Sequence, residues 1–224
     1  TLRGTAPLLL RLIDEYGIMP YDSYNAHNIN YQSMMKRLVM LSNSSRNMSE
    51  LKNRAERLFD DRIGALPKKV YMLGAEYTPL EFAHSVCMRG EYLAMTSFTH
   101  HSFGEAFVLE VPDNYSNELY YNVPIDVMMK RIERSLRTGH PVCWEGDTSE
   151  TGFDFKRGVA ELTKQRPYTQ KQRQIEFENH HTTDDHCMVL IGIAHDENGK
   201  RYYIAKNSWG TGNAYNGLMY LSEE

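Results

Sequence analysis

His186 and Asn207 are the residues of this sequence whose types and spacing best suit covalent chemistry. His186 opens the apolar run Cys187-Met188-Val189-Leu190-Ile191-Gly192. Asn207 follows the next apolar run, Tyr202-Tyr203-Ile204-Ala205, within Lys206-Asn207-Ser208-Trp209-Gly210-Thr211-Gly212. A nucleophilic thiol or hydroxyl needs a neighbouring imidazole to take its proton, and that imidazole needs an orienting group on its other nitrogen. An Asn side-chain oxygen can accept the imidazole N–H and fix the useful tautomer. An indole two residues later, Trp209, can cover that hydrogen bond and keep water off it. His186 at the start of one strand and Asn207 just past its hairpin partner can face each other. A structural reading is also open: a strand-edge His with satisfied hydrogen bonds and an Asn that merely forms a turn. Spacing does not choose between them.

Other reactive groups offer rival chemistry. His180-His181-Thr182-Thr183-Asp184-Asp185-His186 packs five potential metal ligands into seven residues, and imidazole with carboxylate suits zinc or a similar ion. Adjacent ligands on a strand or loop rarely converge, and no paired helical spacing accompanies them, so we expect no metal and no organic cofactor. His100-His101 shows no partner in the sequence and reads as a loop pair. The basic run Lys164, Arg166, Lys171, Arg173 reads as a solvated loop. Three Asn-x-Ser matches, at Asn43, Asn47 and Asn114, are close to chance and set no compartment.

The elements that must position these groups follow from periodicity. Leu8, Leu9, Leu12 and Ile13 mark a first helix, closed by Gly17 and blocked by Pro20. A second helix covers Tyr31 to Leu41 and breaks at Asn43-Ser44-Ser45-Arg46-Asn47. A third runs from about Ser49 to Ile63. Thr78-Pro79-Leu80-Glu81 is a capping box that starts a helix to about Met88. Residues 94–111 suggest strands and loops. A helix with Ile125, Met128, Met129, Ile132 and Leu136 on one face follows, closed by Gly139. Pro141 to Trp144 reads as a strand, 146–180 as polar and irregular, and Cys187 to Ala194 with Arg201 to Ala205 as a hairpin. Gly217 to Leu221 is a last short strand.

The 224 residues carry 25 Lys+Arg against 29 Asp+Glu, a formal net charge of -4, and are 41% hydrophobic. That composition is globular, and the charge argues against nucleic-acid binding driven by bulk positive charge. No apolar run approaches the ~18 residues of a membrane span. Three cysteines cannot build a dense disulfide framework, and the odd count leaves at least one unpaired within the chain.

Asp185-His186-Cys187-Met188-Val189, the Asn207-Ser208-Trp209-Gly210-Thr211-Gly212 block and Asn216-Gly217-Leu218-Met219-Tyr220 together resemble the His and Asn blocks of papain-like cysteine peptidases. Tyr121-Asn122-Val123-Pro124-Ile125-Asp126 and Gly139-His140-Pro141-Val142-Cys143-Trp144 resemble the bleomycin hydrolase and aminopeptidase C branch. Arg3-Gly4 to Gly17-Ile18-Met19-Pro20 is similar to the helix that follows the substrate-cleft glycines of that family. The resemblance implies an α+β, two-lobed papain-like fold: a helix-rich lobe over 1–110 with a helical insertion at 28–75, and a β-rich lobe over 111–224. It implies that His186 is the general base, Asn207 its orienting partner, Trp209 their shield, and Gly4 and Asp185 substrate-binding residues. It also implies peptide substrates, possession of no cofactor, a hexameric ring and a cytoplasmic setting.

The resemblance exposes a missing nucleophile. In the papain signature the catalytic Cys precedes the His by ~130–150 residues, which here points to roughly residues 36–56, where no cysteine stands. Cys143-Trp144 mimics the signature but reads as strand, not as the helix start that would stabilise a thiolate. Cys187 adjoins His186, so on a strand the two point to opposite faces. Cys87 reads as a small buried hydrophobe in a helix. We therefore expect the nucleophile, and the oxyanion-hole Gln with it, on an N-terminal segment outside this sequence, and a chain that is inactive alone. The ending also falls short of the branch's C-terminal arm, which confers aminopeptidase behaviour. The alternative is a natural nucleophile-less protein that keeps the scaffold for binding or structure.

Overall fold

The apolar stripes of the first ninety residues form helices, and side-chain hydrogen bonds at Asn30, Asn47 and Thr78 cap the starts of three of them. We describe residues 4–24, 29–162 and 168–223 of a computed structural model; Arg3, Lys164, Arg166 and Glu224 lie outside them. Contacts divide the chain into two compact units, Arg11–Glu91 and Thr1–Leu10 with Tyr92–Glu224. The change of character expected near residue 110 thus falls inside the larger unit, which also takes the first ten residues.

Helix α1 covers Ala6–Tyr16. In the smaller unit, Gly17 at φ +89 ends it with an N–H to the Ile13 carbonyl at 2.8 Å. A Cβ at Gly17 would lie 2.3 Å from the Pro79 carbonyl carbon, so only glycine fits this turn. Helix α2 is Tyr31–Ser44, and α3 is Met48–Ile63. The side chains of Asn30 and Asn47 cap them by accepting from Ser33 N and Glu50 N. Helix α2 outlasts the expected break at Asn43 because Ser44 and Ser45 hydroxyls satisfy the Met40 and Leu41 carbonyls at 2.8 and 2.7 Å.

Strands β1 (Val70–Met72) and β2 (Ala75–Tyr77) make a hairpin that the helical reading of 28–75 did not contain. Its two-residue turn, Leu73-Gly74, has positive φ at both positions. Helix α4, Pro79–Val86, starts at the expected capping box: Thr78 Oγ1 accepts from Glu81 N at 3.2 Å, and Thr78 N donates to Glu81 Oε2 at 2.7 Å. Replacing Thr78 by Ala should cost about 1 kcal/mol and accelerate amide exchange at Glu81; unchanged exchange would refute the cap.

The larger unit holds two sheets. Strands β3 (Met95–Thr96), β4 (Ala106–Val108) and β5 (Leu119–Asn122) form the first, in the order β3-β5-β4. Helix α5 is Ile125–Arg137. The second sheet contains β6 (Val142–Gly146), β7 (Phe153–Asp154), β8 (Val159–Ala160), β9 (His186–His195), β10 (Arg201–Lys206) and β11 (Leu218–Ser222), ordered β6-β9-β10-β11-β8-β7. Met188, Leu190, Tyr203, Ala205, Met219 and Leu221 form its core, and the expected stripe of α5, through Met129, Ile132 and Leu136, packs on them. Each fully buried side chain of this kind contributes roughly 1.5–3 kcal/mol.

Among the described residues of 146–180, regular elements interrupt the expected irregular stretch. β7 and β8 pair there, and β8 runs parallel to β11 through Tyr220↔Val159 and Leu221↔Ala160. Helix α6, Gln170–Glu178, follows a Thr169 capping box. Two-residue strands carry too little alternation to read from sequence. Helix α6 escaped notice because polar side chains join it to the β3 end. Gln170 Oε1 accepts from Ser97 Oγ and Ile125 N, and buried Gln174 accepts from Thr99 N at 2.6 Å. Arg173 is likewise no solvated loop residue: it donates to the Ser97 carbonyl at 2.9 Å and lies over the Phe98 ring.

Candidate active site

The site is built where β9 begins and β10 ends. The two strands are antiparallel, with a bulge between the pairs Ile204↔Gly192 and Ala205↔Leu190. The extra residue, Ile191, changes the parity of β9. Strict alternation back from Ile193, which packs on the core, would turn Ile191, Val189 and Cys187 inward and His186 outward. With the bulge, Leu190 and Met188 are inward and Val189 and Ile191 are exposed, which puts His186 on the inward face. Directly opposite His186 stands Gly146. A Cβ at Gly146 would meet the Trp144 indole at 2.1 Å, so the missing side chain lets that ring fold beside the site.

His186 Nε2 donates to Asn207 Oδ1 at 2.8 Å. The amide orientation is consistent with its other contacts. Ser208 N donates to the same Oδ1 at 2.7 Å, and Asn207 Nδ2 donates to Met219 Sδ at 3.4 Å. Asn207 is buried, and its own N–H donates to the Gly217 carbonyl. With the carbonyl oxygen toward the ring, the neutral imidazole carries its proton on Nε2 and offers the Nδ1 lone pair as a base. Trp209 lies against His186, with ring centroids 4.6 Å apart, and is braced edge-on by Phe153 and Phe155.

The approach to His186 is laced by two aspartates. Asp147 Oδ2 accepts from Thr183 N at 2.7 Å, and Asp185 Oδ1 accepts from Thr148 N at 2.8 Å and Thr148 Oγ1 at 2.9 Å. Burial would raise the Asp147 carboxyl, but hydrogen bonds from Ser149 and Thr183 outweigh it and hold it below the usual range. Asp185, expected on resemblance to bind substrate, is thus turned to the 147–149 loop. Gly4 has φ +88, and a Cβ there would meet Leu8 Cδ2 at 3.2 Å and Tyr115 Oη at 3.7 Å. Sequence reading missed Glu145. Its Oε1 accepts from Ala6 N, the first amide of α1, at 2.6 Å, and its Oε2 accepts from Tyr120 Oη at 3.2 Å. Burial pushes its carboxyl up.

The five potential ligands of 180–186 do not converge. Among the described residues, the set that brings three such atoms together is His100, His101 and Glu110. Both imidazoles bond Glu110, His100 Nε2 at 3.1 Å and His101 Nε2 at 2.6 Å, so this pair has the partner the sequence did not show. Gln174 Nε2 lies 3.0 Å from His100 Nδ1, and its Oε1 is taken by Thr99 N. Its amide therefore donates to Nδ1, and His100 Nε2 faces Glu110.

No cysteine shares the face of His186 within this sheet. Cys143 pairs with Val189 and Cys187 with Glu145, which places both thiols on the outward face. Cys87 closes α4 in the other unit.

Residues 67–224 match the Peptidase C1-like family. The chain is 25% identical over 169 residues to Aminopeptidase E of Lactobacillus helveticus, covering 70% of this chain and 38% of that protein. The crystal structure of PepW from Lactobacillus rhamnosis superposes with a TM-score of 0.64 at 16% identity, covering 98% of this chain and 59% of that one. The chain thus spans about two fifths of the first protein and under two thirds of the second.

Proposed function

Because the chain belongs to the Peptidase C1-like family, with a papain-like α+β fold, we propose that it carries the base half of a cysteine-peptidase site acting on peptides. The observation that carries this reading is the 2.8 Å bond from His186 Nε2 to Asn207 Oδ1, which frees Nδ1 to act. Aminopeptidase E supplies the class of reaction, release of residues from a peptide's amino end.

In the proposed reaction, Nδ1 of His186 takes the proton of a cysteine thiol that is none of Cys87, Cys143 and Cys187. The thiolate attacks the peptide carbonyl carbon. The imidazolium returns its proton from Nδ1 to the leaving amine as the C–N bond breaks, leaving an acyl-thioester. Water, deprotonated at the same nitrogen, releases the acyl group. Asn207 holds the ring through Nε2 in every step, and Trp209 excludes water from that bond. Gly4 is assigned to the extended substrate, as the resemblance implies.

The tautomer is testable on the chain itself. Nitrogen-15 spectra of the imidazoles should show the neutral His186 ring protonated at Nε2, and Asn207→Ala should shift it toward a mixture of tautomers. A neutral His186 protonated at Nδ1 would overturn the assignment.

A further inference from the structure

Strands β6 and β9 carry a second pair of reactive side chains, on the face of the sheet opposite His186. Cys143 faces Val189 and Cys187 faces Glu145, so the two cysteines are diagonal neighbours on one face. Their Sγ atoms lie 3.2 Å apart. Both residues are exposed, as are Val189 and Ile191 beside them. Neither belongs to the hydrophobic core of the sheet.

We propose that Cys143 and Cys187 form a thiol–disulfide exchange site that takes a small-molecule disulfide of the glutathione-disulfide class and closes to a cross-strand bridge. The Cys143 thiolate attacks one sulfur of the small disulfide. That S–S bond breaks, a mixed disulfide forms on Cys143, and one small thiolate leaves. Cys187 then loses its proton to solvent and attacks the Cys143 sulfur, which expels the second small thiolate. Two protein thiols are oxidised to one disulfide, and one small disulfide is reduced to two thiols. The protons lost by the cysteines balance those taken up by the leaving thiolates.

The geometry favours the second step. The sulfurs need close by only about 1 Å to reach the ~2.05 Å of a disulfide. A hydrogen bond from the Cys187 thiol lowers the Cys143 thiol, and the same bond raises Cys187. With the sulfurs 3.2 Å apart, whichever thiolate attacks first, Cys143 in the steps above, has the other thiol in place to resolve the mixed disulfide. Exposure lets the reagent in and lets a thiol reductant reverse the bridge. No atom of His186 or Asn207 takes part, so the proposal stands apart from the peptidase reading.

The test is to incubate the reduced chain with glutathione disulfide, quench with acid, unfold, alkylate and weigh. Alkylatable thiols should fall from three to one, with a mass lower by two hydrogens before alkylation and by two alkyl groups after it, and a linked peptide pair containing Cys143 and Cys187. Dithiothreitol should restore all three. In Cys187→Ser the reaction should stop at a glutathione adduct on Cys143. Three remaining thiols, a persistent mixed disulfide in the unsubstituted chain, or a bridge to Cys87 or to a second chain would each overturn the proposal.

Discussion

The purified 224-residue chain should hydrolyse aminoacyl and peptidyl coumarin amides no faster than buffer. Activity should appear only when a cysteine-bearing segment is joined to it or folded with it. The reason is geometric. His186 faces the interior side of β9, whereas Cys143 and Cys187 occupy the other face, and a strand offers no rotamer that carries a thiol through its own sheet. Loss of a covalent nucleophile costs about six orders of magnitude in kcat where it has been measured in a hydrolase. Once a thiolate is supplied, His186→Ala should lower kcat by about three orders of magnitude, the scale of general acid–base catalysis. Asn207→Ala should lower kcat by less and leave KM little changed, because it acts through the ring and not on the substrate. Turnover by the pure chain that Cys143→Ala abolishes would refute this arrangement. So would a nucleophile-supplied enzyme indifferent to His186→Ala.

The parts of the site that were legible in the sequence are those written in consecutive residues. His186 before an apolar strand, and Asn207 and Trp209 after the next, sit in short blocks that one hairpin brings together. Helices α1 to α5 were legible for a similar reason. Each has a one-sided apolar stripe, and most have a cap residue at the start.

What was hidden depends on partners distant in sequence. The β9 bulge that turns His186 inward has only the Ile191-Gly192 pair as its local sign. The bond from Thr148 N to Asp185 Oδ1 joins residues far apart in the chain, which no local pattern marks. Helix α6 buries Gln174 instead of a leucine, so apolar periodicity could not find it. The Leu73-Gly74 turn lacks the Asn or Asp that usually marks two consecutive positive φ angles.

Asn122→Leu should destabilise the larger unit by about 3–5 kcal/mol, an effect on the scale of losing a large core side chain. Asn122 is fully buried at the end of β5. Its Oδ1 accepts from Phe98 N at 2.9 Å, and its Nδ2 donates to the carbonyls of Phe98 at 2.8 Å, His101 at 2.9 Å and Ser102 at 3.3 Å. One amide therefore satisfies backbone groups across the 98–102 turn. Leucine keeps the approximate volume but removes every one of these partners, and each buried polar group left unsatisfied costs about 1–3 kcal/mol. The loss should be less than the full sum, because the Ser102 bond is long and water can reach the exposed parts of the loop. Both tryptophans of the chain, Trp144 and Trp209, lie in the same unit, so their fluorescence in a urea titration reports the relevant transition. Asn122→Asp separates the two halves of the amide: it keeps the acceptor for Phe98 N and sets a carboxylate against three carbonyls. It should destabilise at least as much at neutral pH and recover as the carboxyl is protonated. A loss below about 1 kcal/mol for Asn122→Leu would mean that the turn finds other partners and that Asn122 does not organise it.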